Sequence, residues 1–192
     1  MHLPRRAHGL TLIELLMFIV VVGIALAAML RVFVAATAAS ADPMIVRQQF
    51  AIAESLLREV QLMPITWCDP DDANVETATA AVVSATGCAA TVEAVGPESG
   101  ETRYGPTNYF DNVNDYAGFS MSGIRDLANS AVSGLSGYSA SVAVAPATLD
   151  TLTAGSGDAL KITVTVLSPN GKAADAIVLQ GWRTRYAPNS PY

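Results

Sequence analysis

The chain has 192 residues, 51% of them hydrophobic and only 15% charged, with aromatics at 7% and a mean hydropathy of +0.35. That excess of aliphatic residues fits a membrane segment attached to an ordinary domain, and it excludes a disordered chain. A net charge of −6 argues against nucleic acid as a partner. The only histidines, His2 and His8, precede a long apolar run. If that leader is removed, Ser–His and Cys–His catalysis lose their base and zinc sites lose their imidazole ligands.

The apolar run Leu10–Leu30 contains 21 residues and one charge, Glu14. As a helix it spans about 31 Å, enough to cross a bilayer core of about 30 Å. Arg5 and Arg6 ahead of it place the N-terminus on the cytoplasmic side. A secretory signal peptide is the plain alternative, and Ala25-Leu26-Ala27 or Ala36-Thr37-Ala38 could serve as its cleavage site. The run is longer than the usual 7–15 residues of such a segment. A carboxylate within a membrane segment is costly, which makes Glu14 a functional candidate.

Gly9-Leu10-Thr11-Leu12-Ile13-Glu14-Leu15-Leu16 resembles the cleavage motif of type IV prepilins and type II secretion pseudopilins. The resemblance implies cleavage between Gly9 and Leu10 by a prepilin peptidase and methylation of the new Leu10 amine. It makes Glu14 the fifth mature residue; Leu10 departs from the usual phenylalanine. A carboxylate buried in hydrocarbon needs a partner, and in a filament that partner would be the Leu10 amine of the adjacent subunit.

Asp42 and Pro43 read as an N-cap and first helical residue, so the long helix 10–63 is expected to kink or restart near 40–43. Val46, Phe50, Ala53, Leu57 and Val60 form an apolar stripe at helical spacing, with Arg47, Gln48, Glu54, Arg58 and Glu59 mostly off it. Pro64 ends the helix. Residues 51–60 (AIAESLLREV) are similar to the second helical half of minor pilins of the mannose-sensitive haemagglutinin type, the MshD-like group. I-type minor pseudopilins share a similar pattern.

Residues 64–125 are rich in Pro, Gly, Asp and Asn and show no sustained period, so they are read as loops. Cys68 and Cys88, an even pair in an exported region, are expected to form a disulfide. Two acidic groups, Asp69, Asp71, Asp72 with Asn74 and Asp111, Asn112, Asn114 with Asp115, raise the question of calcium. Neither matches the EF-hand loop, and Asx-rich turns explain both, so no metal or cofactor is expected.

Tyr138–Val144 and Leu160–Val166 alternate apolar with small or polar residues, as half-buried strands do. Ser168-Pro169-Asn170-Gly171-Lys172 is a turn before a third strand from about Ala174 to Arg185. The expected fold is α+β: a long N-terminal helix packed on an antiparallel sheet at about 137–186, after a leader at 1–9 and within a globular domain at 64–192. The resemblance implies a filament subunit with no catalytic residues. It would sit in the inner membrane with its globular part in the periplasm, then enter a pilus or pseudopilus. Its partners would be the prepilin peptidase, the inner-membrane assembly platform, membrane lipid and other pilins. A tethered periplasmic binding module that never polymerises is the rival reading. An enzyme with a Ser–Lys pair is disfavoured, because Lys161 falls on the solvent face of its strand and Lys172 in a turn.

Overall fold

The structure, a computed structural model, describes residues 11–105 and 107–191. It is α+β. Helix α1 (Leu12–Leu62) is followed by four strands: β1 (Ser120–Ser122), β2 (Ser139–Pro146), β3 (Ala159–Leu167) and β4 (Ile177–Thr184). The chain forms two compact units, Met1–Met44 and Ile45–Tyr192. The division falls within α1, beside Pro43, and not at the end of the helix. The helix does not restart there: Pro43 lies inside α1. The side chain of Asp42, the expected N-cap, lies outside the described residues.

Within Ile45–Tyr192 the sheet is an antiparallel meander in the order β1-β2-β3-β4. Its register pairs Val142 with Val164 and Val164 with Leu179. Period-two alternation therefore gathers Ala140, Val142, Val144, Ile162, Val164 and Val166 on one buried face. The face is covered by Ile52, Ala53, Leu56 and Val60 from the second half of α1, in the same core as Phe110, Val113 and Tyr116. Gly181 of β4 lets the helix approach closely: a Cβ there would stand 3.0 Å from Leu57 Cδ1 and 2.5 Å from Gln61 Nε2.

Three details differ from the sequence expectation. The helix is turned relative to the expected stripe, so that Val46 and Phe50 are exposed while Gln49 is buried. The reason is polar: Gln49 Nε2 donates to Val166 O at 3.0 Å and to Asp175 O at 2.9 Å. A stripe drawn through apolar residues alone does not contain that position. Second, the stretch read as loop contains β1, whose three residues pair with Ser139–Ser141 of β2. Third, β4 starts at Ile177, because Ala173–Asp175 form a 3-10 turn. The turn before it is as expected, with Gly171 N donating to Ser168 O at 2.9 Å and Gly171 in the left-handed region at φ +65°.

Candidate processing and assembly segment

Helix α1 opens with an apolar segment, Leu12–Ala36, of 25 residues, none of them buried in the protein. At 1.5 Å per residue this is about 37 Å, ample for a bilayer core. Leu12, Phe18, Ile24 and Phe33 all expose more than half their surface. A helix apolar all round, unburied in its own protein, suits lipid or neighbouring helices better than water. Glu14 is the one acid in this segment and lies in the first turn. Its backbone N–H donates to Thr11 O at 3.1 Å and, at 3.4 Å, to Thr11 Oγ1. Thr11 thus caps the helix, and the Glu14 charge sits where the helix dipole favours an anion. Gly9 and Leu10, the expected cleavage and methylation residues, lie outside the described residues.

Cys68 and Cys88 form a disulfide. Both are fully buried, with Val75 and Ala78, in a small apolar cluster apart from the main core. The loop they close is held by Asp72. Its Oδ1 accepts from Asn74 N and Ala89 N at 2.9 Å, and its Oδ2 from Ala90 N at 2.8 Å and Thr91 N at 2.9 Å. Burial works against the Asp72 charge, but these four N–H groups outweigh it and hold the carboxyl well below the usual range. Asp69 Oδ1 also accepts from Asp71 N at 2.7 Å. The Asx-turn reading is therefore correct for this segment, and the part it missed is the reach of Asp72 across the bridge.

The two acidic groups are not separate. The chain folds so that Asp69, Asp71 and Asp111 offer carboxylate oxygens within 4.8 Å of one another. Asp69 in turn meets Glu98 and Glu101 within the same limit, and Glu98 meets Glu93 and Asp115. Among the described residues the ion pairs are Arg103–Glu59 and Arg185–Asp158, and neither includes a member of this cluster. Burial, then the neighbouring Asp115 and Glu98 charges, pushes Glu93 up to about 9. Burial, then Asp115, raises Asp111 to about 7 and Glu101 to about 8. Burial also lifts Asp115 to about 7 despite the N–H groups of Asn112 and Asp111. Glu93, Glu98 and Glu101 carry no local motif, so only the fold reveals their meeting.

The prokaryotic N-terminal methylation motif matches residues 4–30. No curated protein matches the chain, and no solved structure does. The match spans Gly9, Leu10 and Glu14, and it ends within the exposed apolar segment of α1. The chain thus carries, at its N-terminus, the prepilin-type motif of the type IV pilin and pseudopilin superfamily.

Proposed function

We propose that this chain is a minor pilin or pseudopilin, a structural subunit of a type IV pilus or a related secretion filament. The observation that carries this reading is the placement of Glu14. It is the one acid in the first turn of a 25-residue apolar helix that the protein itself leaves uncovered, four residues beyond Leu10. Cleavage after Gly9 frees a Leu10 amine whose charge an incoming subunit can set against Glu14 of its neighbour. Each subunit waits in the inner membrane with Ile45–Tyr192 on the periplasmic side, and joins the filament through its apolar helix. Its work is packing plus one charge pair, with no reaction catalysed. Its partners are the prepilin peptidase, the assembly platform, lipid and other pilins. Similarity over residues 51–60 favours an MshD-type minor pilin as the specific kind.

Mass spectrometry of the protein purified from membranes tests the reading. The expected N-terminus is N-methylated Leu10. An intact Met1, or a cut near Ala27 or Ala38, overturns it. Replacing Gly9 by a bulky residue should leave only the longer precursor on immunoblots, because the peptidase must fit the residue before the cut.

A further inference from the structure

Seven carboxylates converge in the loop-rich half of Ile45–Tyr192, and three buried acceptors among them, on Asp115, Glu93 and the neighbouring Asn114, have an unmet need. Asp115 is fully buried. Its Oδ2 accepts from Asp111 N at 2.9 Å and Asn112 N at 2.7 Å, while its Oδ1 is buried with no hydrogen-bond partner. Beside it, Glu93 Oε1 accepts from Asn114 Nδ2 at 2.7 Å, and Glu93 Oε2 is buried without a partner. Asn114, itself 5% exposed, leaves its own Oδ1 in the same condition. Buried acceptors in folded proteins are satisfied, and exceptions point to a missing donor, a water or an ion. Neither ion pair among the described residues brings a cationic side chain to these acids, which leaves a proton held by one of the carboxyls, a water or a cation to fill the gap.

We propose that a calcium ion binds between Glu93, Glu98 and Asp115, with the Asn114 carboxamide oxygen as a neutral fourth ligand. One carboxylate oxygen from each acid lies within 4.8 Å of the other two. Oxygens sharing a calcium ion at about 2.4 Å lie no more than about 4.8 Å apart, so the spacing suits one ion. The ligand chemistry selects a hard cation. The described residues contain no histidine, and both cysteines are in the disulfide, so nothing there favours zinc or copper. Magnesium requires a tighter octahedron and holds its waters, whereas calcium accepts an irregular oxygen set.

The loops that bring these groups together are already tied by hydrogen bonds. Gly96 N donates to Asn114 O at 3.1 Å, and Asn114 Nδ2 reaches Ala94 O. Asn112 and Asp115 form a reciprocal cap over the 3-10 turn Val113–Tyr116. The ion would therefore meet a scaffold close to its bound form. It would neutralise charge at the centre of the cluster, with the nearby Asp69, Asp71, Glu101 and Asp111 adding to the attraction. This assignment does not depend on the pilin reading and stands or falls separately.

The test is thermal unfolding of the full chain in detergent micelles, first with EDTA and then with millimolar calcium chloride. Calcium should raise the midpoint by about 5 °C or more at a hundredfold excess over its dissociation constant. Sodium chloride at matched ionic strength, and magnesium chloride at equal concentration, should give much smaller shifts. In EDTA, Glu98→Gln should unfold at or above the parent midpoint, which shows that it folds, and it should lose most of the calcium shift. Asp115→Asn keeps an acceptor for the two backbone N–H groups and should behave likewise, so it serves if Glu98→Gln does not fold. Absence of a calcium shift in the parent overturns the assignment. So does an equal shift with sodium or magnesium, or a full shift in a folded Glu98→Gln.

Discussion

Arg103 and Glu59, 44 residues apart in the chain, meet as a two-pronged ion pair, with Nε donating to Oε1 and Nη2 to Oε2, each at 2.7 Å. Glu59 comes from the helix and Arg103 from the loops, and Tyr116 O–H donates to Glu59 Oε1 at 2.7 Å. Arg103 Nη1 also donates to Arg125 O at 3.1 Å. Burial opposes the Arg103 charge, but Glu59 outweighs it and keeps the guanidinium above its ordinary value. Burial and the Glu59 charge drive the Tyr116 hydroxyl upward, so it remains a donor. The group joins the irregular half of the domain to the helix.

Removing one member leaves the other buried without its counter-charge. Arg103→Met should cost about 3 kcal/mol, and Tyr116→Phe about 1 kcal/mol. Combining Glu59→Leu with Arg103→Met should recover part of the first loss, since no charge is then stranded. Urea unfolding of these variants and of Glu59→Leu alone, in micelles, measures this. Full additivity of the two single substitutions would show that the pair is not coupled.

The Cys68–Cys88 bridge spans a sequence separation of 20. Opening it should lower stability by about 3 kcal/mol and leave membrane insertion unchanged, because the apolar segment belongs to the other unit. Paired Cys68→Ala and Cys88→Ala substitutions with membrane fractionation check both parts. Two reactive thiols in unfolded, unreduced protein would contradict the bridge.

Without divalent cations, stability should decline from about pH 5 to about pH 9. Glu93, Asp111 and Asp115 have carboxyl groups raised to about 9, 7 and 7, with Glu98, Asp69 and Asp71 among the charges acting on them. The native state then holds these protons more tightly than the unfolded chain. Their stabilising effect is complete below the ordinary carboxyl range near pH 4 and is lost as pH rises through the raised values. Asp72 acts in the opposite direction. Its depressed carboxyl favours the native state above about pH 4, and that benefit disappears on acidification. Calorimetry in EDTA across this range checks the slope, and a midpoint rising from pH 5 to pH 8 would contradict it.

Glu14→Val should insert into the membrane at least as well as the parent and still be cleaved, since it removes a charge from an apolar segment. It should enter filaments poorly, because the incoming Leu10 amine would be left without a partner. Glu14→Asp should be partly defective. The measurement is the ratio of protein in sheared filaments to protein in inner membranes for each variant. Equal incorporation of Glu14→Val would rule out the charge pair.

Regular periods were legible in the sequence, and contacts between distant loops were not. The alternation in Tyr138–Val144 and Leu160–Val166 describes β2 and β3 closely, because one buried face imposes a period of two. The disulfide followed from compartment and number alone. Apolar spacing misplaced the helix face because a buried glutamine, Gln49, holds two backbone carbonyls. Glu59 resembles any solvent-facing helical acid until Arg103 folds against it. Glu93, Glu98 and Glu101 stand in an irregular stretch, where no period places one residue beside another.

The loop closed by the cysteines has a second tie. Asn189 Nδ2 donates to Val75 O at 2.9 Å and Ala78 O at 2.8 Å, and Trp67 N donates to Pro188 O at 3.2 Å. The segment that follows β4 is thus clasped to the bridged loop, more than a hundred residues earlier in the chain. Reduction of the disulfide would slacken both partners of that clasp. Amide protons of residues 185–190 would then exchange faster, along with those of the loop. A covalent link closing a short loop thereby governs the order of a segment about a hundred residues further along the chain.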